Sequence, residues 1–305
     1  MVQSDSTRIE LDAQGIGAEP KSRFRRIFWH HPLAWMGLVG IAVLLGFAFI
    51  GPLVYRASPY AMHLTMILKP PSTHFPLGTN NLGRNMLARL MLGGQTSLEV
   101  GVAAALSSMV IGIAYGVVAG FVGGWVDALM MRVVDLLRSI PGLFLLIFLD
   151  SFVTPTPGLL ILLIALTSWH GVSRLVRAEV LSLRERLFVE AARAVGARMG
   201  HIAIKHLLPN IYGTVIVATT FMVADAVLVI ASLSFVGMGL PPPVPNWGAM
   251  LSDAMTYVPQ HAWWLVYPPG LAVLWTILSI SFLGDAFRAA LDTRLDSAFR
   301  GGPRT

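Results

Sequence analysis

The sequence predicts an all-α integral membrane protein with six transmembrane helices. Of its 305 residues, 55% are hydrophobic and 12% are charged, whereas about 25% are charged in an ordinary soluble domain. The mean hydropathy is +0.69. A transmembrane helix needs about 20 mostly apolar residues, and the chain has six stretches that meet this requirement.

The first three spans follow from uncharged or weakly charged runs. Span one, 33–55, has 23 uncharged residues and exceeds the core of 7 to 15 residues of a signal peptide, so we expect it to stay as an anchor. Span two lies within 100–126, a run rich in Ala and Gly that favours close helix packing. Span three is predicted at 128–149.

The last three spans are separated by turn and loop signals. The sequence TPTPG at 154–158 contains two Pro and a Gly and indicates a turn before span four, 159–176. Span five, 211–236, contains one acidic residue, Asp225, and span six covers 263–283. Six spans place both termini on the same side of the membrane.

Basic residues determine the predicted orientation. With the N-terminus in the cytoplasm, 18 of the 22 Lys and Arg residues lie on the cytoplasmic side. The four others all fall in the long first outer loop, and the other two outer loops have none. Because cytoplasmic loops carry an excess of Lys and Arg, this distribution favours cytoplasmic N- and C-termini.

The predicted organisation has four parts. Residues 1–28 form a cytoplasmic tail, of which 1–22 lack helical periodicity, and 29–98 hold span one and the long outer loop. Residues 99–290 form a core of five spans with a cytoplasmic loop at about 184–209, and 291–305 form a second cytoplasmic tail. Six Trp residues fall near predicted span ends, as in an aromatic belt: Trp29, Trp35, Trp125, Trp247, Trp263 and Trp264.

Several kinds of chemistry are disfavoured. The chain has no Cys, which excludes disulfides, thiolate metal sites and a Cys nucleophile. It has no GxxxxGK[ST] sequence, so ATP hydrolysis by the P-loop route is excluded. His30 and His31 lack a carboxylate at ligand spacing, and the Gly-rich GVVAGFVGG at 116–124 lacks the strand context of a nucleotide site. We interpret the first as interfacial anchors and the second as a helix-packing surface.

The cytoplasmic stretch EAARAVGARMGHIAIKHLLPN, 190–210, has a pattern beyond that of a solvated connector. Leu187, Ala191, Ala194 and Val195 recur at helical spacing and form an apolar stripe. Gly196 follows the stripe, where a helix C-cap needs a positive φ. A second short helix is predicted from Met199, Ile202 and His206, with Pro209 in the first turn of span five.

Two interpretations of this helix pair are open on periodicity alone. An Arg-rich amphipathic pair can bind anionic lipid at the membrane surface. The small residues Ala191 and Ala192 beside Gly196 favour instead a close approach to another protein, because lipid binding favours bulky apolar groups. The pattern therefore predicts a docking element.

Three motifs carry a family resemblance, which extends over 29–294. Glu190-Ala191-Ala192, followed by Gly196 and by Leu208-Pro209, resembles the EAA loop of ABC importer permeases. HFPLGTNNLGRNMLARLMLGGQTSL at 74–98 and SFVGMGLPPPVPNWGAMLSDA at 234–254 resemble the C-type permease of dipeptide and oligopeptide importers.

The resemblance implies a type I ABC importer permease fold, a coupling helix that inserts into an ATPase groove, and a set of partners in the bacterial cytoplasmic membrane. These are a homologous permease, two ATPase domains that bind ATP and Mg²⁺, an extracytoplasmic binding protein and membrane lipid. It implies no cofactor in this chain and no nucleic-acid partner. A related importer for a metal chelate or haem stays an alternative, as does an ion-coupled transporter, although only Asp225 lies deep in a span.

The chain departs from the family pattern at three positions. Asn80 and Asn85 stand where relatives usually have Asp in the first outer loop, and Asn can still support a turn. His206 stands where the broader motif has an apolar residue. We infer no metal site from it.

Other polar groups have two interpretations each. Asp225 either lines the translocation path and binds a substrate amine or bonds to a neighbouring helix. Asp127, Arg132, Asp135 and Arg138 share one helix face and are interpreted as solvated ion pairs. The outer loop 240–254 either faces the binding protein or forms a re-entrant interfacial helix.

Overall fold

The computed structural model describes residues 20–291 and is helical, with no β-strand in that range. The first half contains six helices: α1 Pro20–His30, α2 Pro32–Leu45, α3 Gly51–Val54, α4 Met86–Val122, α5 Gly124–Ser139 and α6 Gly142–Asp150. The second half contains seven: α7 Pro157–Ser168, α8 His170–Leu183, α9 Leu187–Ala194, α10 Met199–Ile202, α11 Leu208–Phe235, α12 Trp247–Met255 and α13 Trp263–Leu291.

Four continuous helices in the described range are long and apolar enough to cross a membrane. Their bounds are Pro32–Val54, Met86–Val122, Met199–Phe235 and Trp263–Leu291. Helices α7 and α8 form a fifth span if they are taken together, because they meet the same criterion with a bend of 46° between them. Predicted spans one, two, four, five and six fall on these segments.

The single helix predicted over 128–149 is wrong. Helix α5 ends at Ser139, Ile140 is extended with φ −94° and ψ 126°, and α6 begins after Pro141. Proline lacks an N–H and disfavours a helical conformation in the residue before it, so the chain breaks there. The count of six spans therefore stays a prediction.

All three predicted organisational boundaries fall inside helices. Helix α1 begins at Pro20, so the last residues assigned to the N-terminal tail are helical, and the predicted tail over 1–19 lies outside the described residues. The boundary at 98/99 lies within α4, which begins in the outer loop at Met86. The boundary at 290/291 lies one residue before the end of α13, and the rest of the predicted C-terminal tail, 292–305, lies outside the described residues.

Helix α4 packs against α8 through small residues, as predicted for the Gly-rich stretch. Gly112, Gly116 and Gly120 are spaced four residues apart and face Val172, Val176 and Val180, which have the same spacing. A Cβ at Gly116 would lie 2.6 Å from the carbonyl oxygen of Ser173. The two helix backbones therefore approach each other too closely for any residue with a side chain at these positions.

We expect Gly116→Val to lower the free energy of unfolding by about 1–3 kcal/mol, because overpacking forces the two backbones apart. Thermal unfolding of the protein purified in detergent measures the loss. Gly142→Val is the matched control, since a Cβ at Gly142 meets no atom within 4 Å. Equal unfolding temperatures for the two variants would contradict this packing.

The aromatic-belt prediction is wrong for two of the six Trp residues. Trp247 is 0% exposed, and its indole N–H donates to the Leu90 carbonyl oxygen at 3.0 Å. Trp264 is 8% exposed and donates to the Thr79 carbonyl oxygen at 3.2 Å. Both side chains hold outer segments onto α4 and onto the first outer loop, where their N–H groups find acceptors.

The first outer loop is ordered by the two Asn residues. Asn80 Oδ1 accepts from the Leu82 and Arg84 amides at 3.0 and 2.8 Å. Asn85 caps α4 by accepting from the Ala88 amide at 3.1 Å, which is a common N-cap arrangement. The prediction that Asn supports the turns here is confirmed.

Charge in this outer region is balanced from another segment. Arg84 and Arg89 are buried. Burial raises the pKa of Asp253 in α12, and the positive charges of Arg89 and Arg84 oppose that rise. The negative charge that acts on the two arginines of the first outer loop therefore comes from outside that loop, without a direct ion pair among the described residues.

The ion pairs predicted within 127–138 connect two helices instead. Arg177 of α8 forms a two-point ion pair with Asp127, whose side chain is 11% exposed. Arg174 lies 3.8 Å from Asp135, and both of these side chains are more than half exposed. Helix α5 is thus held to α8 by one sheltered and one solvated pair.

Candidate functional site: cytoplasmic docking segment and membrane cavity

The docking segment, residues 186–198, consists of α9 and the turn that ends it. Gly196 has φ +77°, and its N–H donates to the Arg193 carbonyl oxygen at 2.9 Å. The Ala197 N–H reaches back to the Ala192 carbonyl oxygen at 3.0 Å. These two bonds make a Schellman cap, so the predicted helix and its glycine C-cap are both confirmed.

The predicted apolar stripe of α9 faces away from the rest of the chain. Leu187 is 83% exposed and Val195 is 85% exposed, and Ala191 and Ala194 are exposed as well. A Cβ on Gly196 would meet no atom within 4 Å. This side of the segment is an open apolar surface of small and branched residues.

A second apolar face, absent from the sequence interpretation, holds α9 in place. Val189 is fully buried in a cluster with Val180, Ile202 and Leu207, and Ala192 packs against that cluster. The spacing of Val189 and Ala192 is helical, so the pattern was present in the sequence. The stripe that includes Leu187 and Val195 is longer and dominates the periodicity, so the face of Val189 and Ala192 is not recognised from the sequence.

Two arginines tie the segment to the C-terminal end of α4. The Arg193 guanidinium carbon lies 4.5 Å from the centre of the Phe121 ring. Arg184, just before the segment, donates to the Gly120 carbonyl oxygen at 3.2 Å. Cations near the last carbonyls of a helix interact favourably with its dipole. The docking segment is therefore held on the α4–α8 pair.

The segment continues directly into span five, which corrects the prediction of a separate second helix. The helix that begins at Met199 runs without interruption to Phe235. A π-helical stretch over Ala203–Leu207 precedes Pro209, and the Leu208 N–H donates to the Ala203 carbonyl oxygen. Pro209 lies in the first turn of α11, as predicted, and the π-helical turn joins α11 to the residues before it. Leu208 is half-buried and Pro209 is exposed.

A cavity of about 490 Å³ lies deeper in the same helix system, between α4, α11 and the bend that joins α7 to α8. Asp225 lines it, together with Ser168 and His170 at the bend and with the apolar Phe221 and Leu228. Asp225 is exposed and makes no hydrogen bond or ion pair with any residue that the structure describes. The interpretation in which Asp225 bonds to a neighbouring helix of this chain is therefore not supported.

A second cavity of about 560 Å³ adjoins the first, nearer the docking segment. It is lined by Glu179, Asn210, Thr214 and Arg288, and the Thr214 hydroxyl donates to the Glu179 carboxylate at 3.1 Å. Phe221 lines both cavities. Glu179 and Thr214 cannot be identified as site residues from the sequence, because the hydrogen bond between them joins two helices and depends on the tertiary structure.

The two predicted sites lie on successive helices. The docking segment, 186–198, ends directly before the helix that runs from Met199 to Phe235. Asp225 lies on that helix, 17 residues beyond Leu208, or about 25 Å at 1.5 Å per residue. Pro209 and the π-helical stretch lie between them. A displacement of the docking segment therefore acts on the helix that lines the cavity.

Comparison with known proteins agrees with this architecture. Residues 112–297 match the family model described as binding-protein-dependent transport system inner membrane component. Residues 20–71 match the N-terminal TM domain of oligopeptide transport permease C.

Three relatives cover most of the chain. The oligopeptide transport system permease protein OppC of Bacillus subtilis is 33% identical over 293 residues, 95% of this chain and 94% of the relative. The dipeptide permease DppC of the same organism is 36% identical over 263 residues, 86% and 82% of the two chains. The di/tripeptide permease DppC of Pseudomonas aeruginosa is 34% identical over 285 residues, 92% and 94%. The chain therefore belongs to the binding-protein-dependent inner membrane components, as a C-type permease of the dipeptide and oligopeptide ABC importers.

Proposed function

We propose that this chain is the permease subunit of an ATP-driven peptide importer and that its docking segment receives the motion of an ATPase. The relatives are permease subunits of peptide ABC transporters, and the chain is a membrane component of the same kind. A second, homologous permease supplies the other half of the path. An extracytoplasmic binding protein delivers the peptide, and two ATPase domains bind ATP and Mg²⁺.

The exposed stripe of α9 is the observation that carries the coupling role. An apolar face with Leu187 and Val195 more than four-fifths exposed is unfavourable in water, and covering it by a groove on a partner removes that cost. The small residues Ala191 and Gly196 allow the partner backbone to come close. Glu190, Ala191 and Gly196 thus form the contact, whereas Ala192 packs against the chain's own cluster and holds α9 in position. Leu208 and Pro209 lie at the start of the helix that carries the motion inward.

The orientation follows from the basic residues and from this coupling role. The docking segment has to face the cytoplasm, where ATP is available, which places both termini on the same side. The protein then resides in the bacterial cytoplasmic membrane.

The coupling role is tested with the double variant Leu187→Asp/Val195→Asp. We expect the ATPase subunits to co-purify with the wild-type chain and to be lost from the variant, because two charges would have to be desolvated in the groove. The measurement is the ATPase-to-permease ratio after purification. Leu64→Asp/Met66→Asp, at exposed apolar positions of the first outer loop and outside every predicted span, is the control.

Retention of the ATPase subunits by the docking-segment variant, with loss from the control, would contradict the proposal. Uptake in sealed vesicles then distinguishes ATP hydrolysis from an ion gradient as the source of energy. The importer requires ATP and is insensitive to a protonophore, whereas an ion-coupled transporter shows the opposite behaviour.

A further inference from the structure

One face of α11 lines both cavities along almost the whole helix. Its residues recur every three or four positions and all border the 490 Å³ or the 560 Å³ cavity: Asn210, Thr214, Ala218, Phe221, Asp225 and Leu228. The regular spacing places them in one continuous row. Asp225 carries the only carboxylate in this row.

The opposite face of α11 is packed inside the protein. Ala224, Val227 and Ile230 are buried, and a Cβ added to Gly101 of α4 would lie 2.7 Å from a methyl carbon of Val227. Asp225 therefore projects from the open face of a helix whose other face is anchored. Its carboxylate is directed toward the cavity and away from the packed core.

The surroundings of Asp225 are unusual for an acidic side chain. The cavity walls are mainly apolar, and no basic side chain is among the residues that line the cavity other than His170 at the helix bend. A carboxylate at membrane depth is costly unless it faces water or a cationic partner. The described part of the chain supplies no such partner, so the geometry calls for one from outside.

We propose that Asp225 is a subsite for a protonated primary amine of the transported peptide, an inference that rests on the proposed peptide-import function. An ammonium group donates up to three hydrogen bonds, and a carboxylate accepts them in charge-assisted pairs. Phe221 and Leu228, one turn to either side of Asp225, offer apolar surface to a neighbouring peptide side chain. A volume of about 490 Å³ falls in the range of about 300–1,000 Å³ that is usual for small-molecule sites.

The first test compares Asp225→Asn with the wild-type chain in the complete importer reconstituted in vesicles, with dialanine as the probe. We expect dialanine uptake to fall about tenfold or more, because a hydrogen bond to a charged group contributes about 1.5–3 kcal/mol. Asp225→Glu, which keeps the negative charge, recovers part of the uptake. Asp135→Asn, which neutralises an exposed acid on α5, is the matched control.

A second measurement does not depend on transport. The chain has no Cys, so a single Cys introduced at Leu228 is its only thiol. In a complex whose partner subunits have no Cys, we expect a cationic methanethiosulfonate to react with this thiol faster than an anionic one. Asp225→Asn should remove the difference in rate, since the carboxylate is its source. Val227→Cys on the packed face should stay unlabelled.

The outcomes separate the two proposals. If the wild-type importer shows no ATP-dependent dialanine uptake, the proposed function fails. If the wild-type importer transports dialanine and Asp225→Asn transports it equally well, only the amine subsite is overturned. Absence of labelling at Leu228→Cys, or equal rates for the two reagents with Asp225 present, also overturns the subsite.

Discussion

We expect Gly196→Trp to abolish ATP-driven peptide uptake while the protein still inserts into the membrane. Gly196 has φ +77°, and a residue with a Cβ is strained there by roughly 1–2 kcal/mol. The space around it is open within this chain, so the indole would not disturb the packing of the spans. It would project beside the exposed α9 stripe, where we place the ATPase groove.

The measurement is uptake of labelled dialanine by membrane vesicles, normalised to the amount of inserted permease. Gly196→Asn is the control, because Asn tolerates the left-handed conformation and has a small side chain. We expect this variant to keep most of its uptake. Normal uptake by Gly196→Trp would show that the Gly196 turn does not contact a moving partner.

We expect Asp127→Ala to lower the free energy of unfolding by about 3 kcal/mol, the largest loss from any single change considered. Asp127 is sheltered, and its two-point pair with Arg177 joins α5 to α8. Removal of one member leaves the other charge partly buried without a partner, which costs more than the pair itself contributes. Arg177 is 31% exposed, so solvent screens part of the loss.

Thermal unfolding in detergent measures this effect, and the same two helices provide the control. Asp135→Ala breaks the pair with Arg174, in which both side chains are well exposed, and we expect a loss of at most about 1 kcal/mol. In Asp127→Ala, the additional change Arg177→Met should recover part of the stability. Equal losses for Asp127→Ala and Asp135→Ala would contradict the structural role of the sheltered pair.

Local signals in the sequence predicted local structure well. The positive φ of Gly196 and the turns supported by Asn80 and Asn85 each depend on a few neighbouring residues, and the structure has all of them. The Gly-rich stretch of α4 was also interpreted correctly as a packing surface. The break at Pro141 was missed, although proline is a local signal, because the apolar run around it is long enough for one span.

Predictions that depended on distant residues were less successful. Trp247 was assigned to the membrane interface, but its acceptor is the Leu90 carbonyl on another helix. Asp127 was paired within its own helix, but its partner, Arg177, lies 50 residues away in the sequence. No periodicity within one segment can identify such a partner.

The sequence by itself determined the membrane class, the helix-rich architecture, the family and the residues of the docking element, because hydropathy, helix periodicity and caps act over a few residues. The tertiary structure alone decided which face of α9 is free, that the helix of Asp225 begins directly after the docking segment, and that Asp225 faces a cavity. The physical reason is burial: a helix with two apolar faces buries the one that meets a complementary surface, and that surface is formed by distant parts of the chain.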